Sequence, residues 1–354
     1  MKKIIAMLLA LAMVFALAAC GSSGTNSAPA DNGSNVTAPA ASDASDPYAD
    51  LDPVTINCVT IFESETGIVR GLKYMGEQLS ERTNGKLTME IYDAGQTGGE
   101  NEQAEALVIG EVDMAAFGTL PISTYATEYS FFDSPFVFAD GEHFMNAWDG
   151  ALGDGMREKL SAAGLYTLGA MGRGYRHITS SVPINSIEDM KGLVIRTPQS
   201  ALFTDTFGAL GCVCVPIALT ELFTSLQTGV AQASEGPWDQ IVSSKLYEVQ
   251  KYIVESTYYY SISMWCMNQS FYENLPEAYR TLIDEVAAEA LDYGTEQSNQ
   301  MAEEQKQVCV DAGCTILELG DLTPYLEAVS DVMDRFYAEK WTVTSAEEVA
   351  SYRT

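Results

Sequence analysis

The sequence predicts an α/β fold made of two similar units, and three observations indicate it. Strand-like and helix-like segments alternate along residues 54–117 and again along 143–229. Such alternation is typical of β-sheets with helices on their faces. Near the C-terminus, residues 276–311 have no proline after Pro276 and one glycine, Gly294, which predicts a single long helix. The chain has 354 residues, enough for two domains.

The first unit contains three predicted strands and two predicted helices. The β-branched run VTINCVTIF at 54–62 predicts a strand, and residues 66–84 predict a helix because their apolar positions recur at helical spacing. The segments that follow are an alternating strand, a glycine-rich turn, a second helix and a third strand, at 86–92, 95–99, 100–109 and 112–117.

The second unit repeats this pattern after a helical stretch. Its predicted strands and helices follow in order: helix 143–164, strands 165–171 and 175–180, a capped turn and strand within 186–198, helix 201–211, strand 212–217 and helix 220–229. The long helix over 276–311 would measure about 50 Å. One unit of this size is narrower than that, so we expect the helix to touch both units or to break near Gly294.

The N-terminus resembles a bacterial lipoprotein signal peptide over residues 1–20. Lys2 and Lys3 precede an uncharged apolar run, residues 4–17, which is short for a transmembrane helix. The run ends in LAAC, which resembles a lipobox, so Cys20 is the predicted lipidation site and the mature N-terminus. The alternative is an ordinary signal peptide with an incidental cysteine. Residues 21–50 are rich in Gly, Ser, Ala, Pro and Asn and predict a disordered tether.

The composition excludes several classes of function. With 49 acidic and 19 basic residues the net charge is −30, which disfavours nucleic-acid partners. The cysteine spacing fits no common zinc pattern and there are two histidines, so we expect neither a metal nor a cofactor. The chain lacks the GxSxG, phosphate-loop and HExxH patterns, so no enzymatic activity is predicted. Because the overall field repels anions, any anion site must act through short-range contacts in a shielded cleft.

An arginine at the end of a predicted strand is the leading candidate for ligand contact. Arg196 lies in the segment MKGLVIRTP, where Pro198 stops the strand, and it shares a face with Val194. A cation on an apolar face is costly without an anionic partner, and a guanidinium matches a carboxylate through two parallel hydrogen bonds. Strand ends that open into a crevice are also where α/β sheets bind ligands. The residues alone leave an internal salt bridge with Glu188 or Asp189 equally open.

Five segments, taken in order, resemble one protein family. They are TNGKLTMEIYDAGQTGGENEQAEALVIGEVDMA, FFDSPFVFAD, GYRHITSSVPINSIEDMKGLVIRTP, TELFTSLQTGVAQASEGPWDQI and NQSFYENLPEAYRTLIDEVAAEA. Together they resemble the extracytoplasmic substrate-binding proteins of TRAP (tripartite ATP-independent periplasmic) transporters, in the dicarboxylate-type branch. The resemblance covers residues 54–320.

This resemblance implies a periplasmic-binding-protein-like fold with two α/β lobes, a hinge, a central ligand cleft and a long helix spanning both lobes. We expect lobe I to comprise 51–173 plus about 262–300, and lobe II to comprise 174–261 plus about 301–354. The implied function is capture of a small organic acid, a dicarboxylate or sugar acid, for the TRAP permease membrane subunits. The protein would be a monomer, lipid-anchored on the outer face of the cell membrane or periplasmic. Because fold does not fix function, a surface lipoprotein acting as an adhesin or sensor is the alternative.

The resemblance also assigns roles to residues. The arginine matching Arg196 pairs with the ligand carboxylate, and the one matching Arg176 assists. The family's pocket loop commonly reads Asp-Gly-x-Glu-Asn, whereas this chain reads QASEG, so an expected asparagine is missing. Glu235 and Gly236 of this loop are ligand-binding candidates. Trp238 could cover the gap by stacking on the ligand, or it could belong to the core.

Three further residues could contact the ligand. Glu63 and Glu65 follow the first strand and could accept hydrogen bonds from ligand hydroxyls, or they could belong to a plain loop. Asn268 follows the strand-like SISMWCM and could donate to a second carboxylate or a hydroxyl. We expect Arg173 to be solvated, and Asp133 in FFDSPFVFAD to serve in the hinge or in packing.

Overall fold

The computed structural model describes residues 46–353 and contains two β-sheets with helices packed around them. The strands are β1 (Val54–Thr60), β2 (Leu87–Tyr92), β3 (Met114–Phe117), β4 (Leu165–Tyr175), β5 (His177–Ser180), β6 (Val194–Thr197), β7 (Val213–Pro216), β8 (Ala233–Gly236), β9 (Tyr252–Glu255), β10 (Tyr260–Asn268) and β11 (Thr315–Glu318). The first sheet has the order β2-β1-β3-β10-β4, and the second has the order β11-β9-β5-β8-β6-β7.

The helices cover both sheets. They are α1 (Gly67–Arg82), α2 (Glu100–Ile109), α3 (Leu120–Tyr125), α4 (Gly141–Trp148), α5 (Ala151–Ala162), α6 (Ala201–Ala209), α7 (Leu222–Gln227), α8 (Trp238–Ser243), α9 (Gln269–Asn274), α10 (Glu277–Asp311), α11 (Thr323–Glu339) and α12 (Ala346–Ala350). Short 3₁₀ turns lie at Thr127–Asp133, Ile187–Met190, Leu219–Glu221 and Leu246–Glu248. The predicted helix over 143–164 is in fact two helices, α4 and α5.

Each sheet forms one lobe, which confirms the predicted two-lobe α/β fold. The strands nearest the cleft run in parallel: β1 pairs with β2 and β3, and β6 pairs with β7 and β8. The chain crosses from the first sheet to the second between β4 and β5, and it returns between β9 and β10. The two crossings are joined, because the Arg176 amide donates to the Tyr259 carbonyl at 3.0 Å and the Ser256 hydroxyl donates to the Arg176 carbonyl at 2.8 Å.

The C-terminal segment departs from the predicted lobe boundaries. Tyr325 and Val329 of α11 pack in the core of the second lobe, as predicted. Phe336, Trp341 and Val349 instead pack in a core cluster of the first lobe. The last part of the chain therefore contacts both lobes rather than lobe II alone. The other lobe boundaries stay a prediction.

The predicted long helix is present as α10, with 35 residues and no break. Its buried residues Ile283, Val286 and Ala290 pack in the core of the first lobe, whereas Cys309 lies in a core cluster of the second lobe. At Gly294 the helix comes close to α1. A Cβ atom on Gly67 would lie 2.8 Å from the carbonyl oxygen of Gly294, so the missing side chains permit close packing rather than a break.

The N-terminal predictions fall mostly outside the described residues. The signal peptide, the lipidation site Cys20 and residues 21–45 of the tether are among them. Residues 46–50 are ordered, which corrects the predicted end of the tether: Lys86 Nζ donates to the carbonyls of Ala49 and Leu51 at 2.7 Å each, and the Tyr48 ring stacks on Tyr279. Over residues 46–353, no helix has both the length and the apolar character needed to cross a membrane.

The approach of α1 to α10 predicts that Gly67→Ala destabilises the protein. Its new methyl group would overlap with the backbone of α10, and overpacking of this kind costs about 1–3 kcal/mol. Gly208 in α6 is the matched control, because no atom lies within 4 Å of an added Cβ there. Gly208→Ala should stabilise the protein by about 0.5–1 kcal/mol through helix propensity. Denaturant unfolding followed by circular dichroism measures both; equal stabilities of the two variants would contradict the close packing.

Candidate ligand-binding site

Two adjoining cavities lie between the lobes. The first, here called the arginine cavity, has a volume of about 60 Å³, and the second cavity has a volume of about 270 Å³. Five residues line both, so the cavities form one continuous cleft: Ile61, Phe62, Arg173, Leu219 and Gln240.

The cleft lies at the carboxyl ends of parallel strands from both sheets. Ile61 and Phe62 follow β1, Gly118 and Thr119 follow β3, and Arg196 is next to the last residue of β6. Ligands of open α/β sheets bind at this edge, where the loops after the strands diverge. The strand order therefore brings together side chains that are far apart in the sequence.

Three buried arginines line the arginine cavity, and two of them have internal carboxylate partners. Arg173 donates through Nε and Nη2 to the two oxygens of Asp239, at 3.1 and 2.9 Å. Arg176 donates in the same way to Glu235, with Nη2 at 2.6 Å from Oε1. Both carboxylates are buried, so the charges of these two arginines are neutralised within the protein. The expectation that Arg173 is solvated is wrong, because it is 6% exposed.

Arg196 is the third arginine, and it has no carboxylate partner. Its Nε donates to the carbonyl of Ile217 at 2.8 Å, and among residues 46–353 neither of its Nη atoms makes a hydrogen bond. The side chain is 3% exposed. Glu188 and Asp189, the alternative partners, are exposed and form no ion pair with it. Burial lowers the pKa of Arg196 to about 10, with Glu235 opposing and Arg176 adding to this, so the group stays charged at neutral pH.

Glu235 holds Arg176 in place rather than facing the cleft. Its Oε2 also accepts a hydrogen bond from the Tyr258 hydroxyl at 2.6 Å. Burial acts to raise the pKa of Glu235, but Arg176 outweighs it and the net direction is downward. Burial likewise acts to lower the pKa of Arg176, and Glu235 reverses this. The pair is therefore ionised, and Arg176 makes its hydrogen bonds to Glu235 through Nε and Nη2.

Two carboxyl groups that were not predicted as ligand contacts line the arginine cavity. Glu100, the first residue of α2, accepts the Gly118 N–H at 2.6 Å with one oxygen. Burial raises its pKa to about 7, against the effect of this hydrogen bond. Asp133 accepts from the hydroxyls of Thr119, Ser123 and Ser200, and burial raises its pKa to about 6.

Both positions had a signal in the sequence. Asp133 is the one charged residue between 130 and 138, an otherwise apolar and uncharged run, and such isolation marks a partnered buried acid. Glu100 directly follows two glycines, so a backbone turn brings it close to the strand ends. The prediction for Asp133 was a hinge or packing role, and it did not include the position of this residue in the cavity lining.

The second cavity is lined by polar groups from both lobes. Glu63 of the first lobe and Lys245 of the second both line it, which places Glu63 in the cleft. Neutral donors and acceptors accompany them, namely Thr66, Thr220, Gln240, Ser243 and Ser244. Glu65 does not line either cavity, because its side chain is 86% exposed and pairs with Arg70 at 3.5 Å.

Besides Glu235 and Glu65, the structure leaves three further predicted site residues outside the cleft. Asn268 caps α9, with Oδ1 accepting the Phe271 N–H at 2.8 Å, and it lies at the opposite end of β10 from the cavity. Trp238 packs in a core cluster of the second lobe, its ring centroid 4.8 Å from that of His177. Gly236 is buried within β8 and lines neither cavity. None of the three lines the cleft, and for Trp238 the structure supports the alternative that it belongs to the core.

The sequence comparison identifies the family. The model of the bacterial extracellular solute-binding proteins, family 7, matches residues 59–340. The chain belongs to this family. This confirms the predicted membership of the TRAP substrate-binding proteins, and it confirms that the chain is not an enzyme, because members of this family are solute-binding proteins.

Similar proteins carry names that describe small acids. The C4-dicarboxylate-binding periplasmic protein of Rhodobacter capsulatus is 29% identical over 308 residues, which cover 85% of this chain and 91% of that protein. The 2,3-diketo-L-gulonate-binding periplasmic protein of Escherichia coli is 28% identical over 75% of this chain and 81% of that protein.

A solved structure shares the fold over nearly its whole length. The sugar acid binding protein of Advenella mimigardefordensis, in complex with galactonate, is 25% identical with a TM-score of 0.82. The match covers 86% of this chain and 98% of that one. A TRAP periplasmic solute-binding protein from Polaromonas, bound to D-erythronate, is 26% identical with a TM-score of 0.79, covering 84% and 98%.

The raised pKa of Glu100 predicts how unliganded stability depends on pH. Because its pKa rises from 4.5 to about 7 on folding, the folded protein binds the proton more tightly. Stability from this group is therefore lost as the pH rises from about 5 to 8. Glu100→Gln keeps the acceptor for Gly118 and removes the charge. We expect its melting temperature to exceed that of the wild type by about 3 °C at pH 8 and to match it near pH 4.

Differential scanning calorimetry at several pH values measures this difference. Glu158→Gln, on the exposed face of α5, is the control and should leave the pH profile unchanged. A Glu100→Gln profile parallel to the wild type would contradict the assignment.

Proposed function

We propose that this protein is an extracytoplasmic solute-binding lipoprotein of a TRAP-type secondary transporter. It captures a small organic acid, a dicarboxylate or sugar acid, and delivers it to the membrane subunits of the permease. The ligands for which its relatives are named support this class: C4-dicarboxylate, 2,3-diketo-L-gulonate, galactonate and D-erythronate. The protein acts as a monomer held by a lipid on Cys20.

The observation that carries this proposal is the unpaired guanidinium of Arg196. Nε is held by the Ile217 carbonyl and Arg196 lines the cavity, so the two Nη atoms would offer an end-on fork to a ligand. Two parallel hydrogen bonds from this fork match the two oxygens of a carboxylate. Hydrogen bonds to charged groups contribute about 1.5–3 kcal/mol each. Arg176 lines the same cavity and adds a second, acid-paired guanidinium beside the ligand carboxylate.

Ligand binding would also favour closure of the two lobes. Arg196, which would bind the carboxylate, belongs to the second lobe. Ile61, Phe62 and Gly118 line the same cavity and belong to the first lobe. A ligand that contacts both sides stabilises the closed arrangement over the open one. The permease would recognise the closed form and supply the ion gradient that drives uptake.

Replacing Arg196 with lysine should weaken binding although the charge is kept. A lysine ammonium cannot form the two-pronged contact, so we expect a loss of about 10- to 100-fold in affinity for the best-binding acid of D-galactonate, D-erythronate and succinate. Isothermal titration calorimetry measures it. Arg335→Lys, whose side chain is 48% exposed and pairs with Asp205 outside the cleft, should bind like the wild type.

Two outcomes would oppose this proposal. Near-native affinity of Arg196→Lys would remove the role of the guanidinium fork. If no organic acid stabilises the wild type in a thermal-shift screen, and a protein partner is recovered instead, the surface adhesin or sensor becomes the function.

The lipid anchor predicts the effect of Cys20→Ala. Without the cysteine the acyl chains cannot attach, and stable anchoring requires more than one chain. We expect the variant to move from the membrane fraction to the soluble fraction, with an N-terminal peptide that lacks the lipid mass. Cys214→Ala, within β7, is the control and should stay with the membrane. A wild-type protein already found in the soluble fraction would indicate an ordinary signal peptide.

A further inference from the structure

The charges around the arginine cavity leave room for one ligand carboxylate. Asp239 and Glu235 neutralise Arg173 and Arg176, so Arg196 is the one arginine of this cavity without an acidic partner among the described residues. Two more acids, Glu100 and Asp133, line the same cavity. An incoming carboxylate that pairs with Arg196 therefore meets no second unpaired arginine.

A second carboxylate near the first would lie beside these acids. The arginine cavity holds about 60 Å³, so neighbouring atoms of a bound ligand are close to Glu100 and Asp133. Like charges repel strongly where water is largely excluded. Juxtaposed like charges are a common means of rejecting a wrong partner. A four-carbon dicarboxylate therefore places its second charge unfavourably.

Glu100 also supplies a hydrogen-bond acceptor for a neutral ligand group. One of its oxygens accepts the Gly118 N–H, and the other has no partner among the described residues. A ligand hydroxyl can donate to this oxygen, whereas a carboxylate cannot. The oxygens of Asp133 are already occupied by hydroxyls of Thr119, Ser123 and Ser200, so its contribution is charge.

The second cavity provides hydrogen-bonding groups for the hydroxyls of a longer ligand. Its neutral lining groups, two of which are Ser243 and Ser244, can donate to or accept from the hydroxyls of a chain. Lys245 could attract a distant carboxylate there, but Glu63 lines the same cavity. Burial and Asp93 raise the pKa of Glu63, and Lys245 acts against them. The cation is thus offset by an acid of the opposite lobe.

We infer that the cleft selects a hydroxylated monocarboxylate over the dicarboxylate of equal length, with Glu100 as the residue that sets this preference. The inference rests on the proposed function, because it assumes that the cleft binds an organic acid. The carboxylate binds Arg196, an adjacent hydroxyl donates to Glu100, and the remaining hydroxyls lie in the second cavity.

Two matched pairs of acids test this selection. D-Erythronate and meso-tartrate have four carbons, D-gluconate and D-glucarate have six, and each pair differs by oxidation of the terminal alcohol to a carboxylate. Isothermal titration calorimetry at pH 8 measures the affinity of all four acids. In the pair with the higher affinities, the monocarboxylate should bind at least about tenfold more tightly than its dicarboxylate. Tighter binding of either dicarboxylate would overturn the inference and leave the proposed function standing. Absence of binding by all four acids and by succinate would count against the proposed function itself.

The variant Glu100→Gln tests the residue. It removes one negative charge at constant size, so we expect the preference for the monocarboxylate to fall by about tenfold, mainly through better binding of the dicarboxylate. Circular dichroism confirms that the variant is folded. Glu158→Gln, exposed on α5, should keep the wild-type preference. An unchanged ratio in Glu100→Gln would overturn the role of this residue.

Discussion

Burying three guanidinium groups side by side requires carboxylates, and the way in which these pair decides what the cleft can bind. Arg173 and Arg176 have internal partners that are almost fully buried. Breaking such a pair is costly, because it leaves an isolated charge out of water. Arg196 is held by the carbonyl of Ile217 and not by an acid. The protein therefore folds with one cation whose hydrogen bonding is incomplete, and in the proposed function a ligand carboxylate completes it.

The same ion pairs join the binding site to the connection between the lobes. Arg176 lies between β4 and β5, where the chain crosses from one sheet to the other, and its partner Glu235 lies in β8. The backbone of Arg176 bonds to Tyr259 on the return crossing. In the proposed function, a ligand that contacts Arg176 would act on this connecting segment. Carboxylate binding would then favour closure without a separate element to transmit it.

Local patterns predicted the elements that local chemistry determines. The apolar periodicity of α1 and the proline-free length of α10 were enough to place these helices within two residues of their ends. The four residues of β8 were assigned to a pocket loop from the family resemblance, and Ala-Ser-Glu-Gly itself has little strand propensity. They form a strand because β5 and β6 lie on either side and pair with them. Tertiary context overrides weak propensity in such short segments.

The pairing of charges was the part of the site that the sequence could not supply. Arg173 and Asp239 are 66 residues apart, and Arg176 and Glu235 are 59 apart. No local spacing relates such residues. For this reason the sequence predicted that Arg173 is solvated and that Glu235 contacts the ligand, whereas both side chains form buried ion pairs. The position of Arg196 could be predicted because it depends on a strand end. Its lack of a partner could not, because that depends on where every nearby acid points.

The large negative charge of the chain is compatible with anion binding, because the field of the net charge is screened by salt whereas the contacts in the cleft act at short range. At physiological ionic strength, charges separated by more than about 8 Å of solvent are largely screened. The net charge of −30 is therefore felt weakly by a small acid until it reaches the cleft. In the proposed site, the guanidinium of Arg196 would act on the ligand within hydrogen-bond distance, where burial strengthens the interaction. Glu100 and Asp133 line the same cavity and would act at equally short range, so the proposed affinity for one carboxylate and rejection of a second have the same origin.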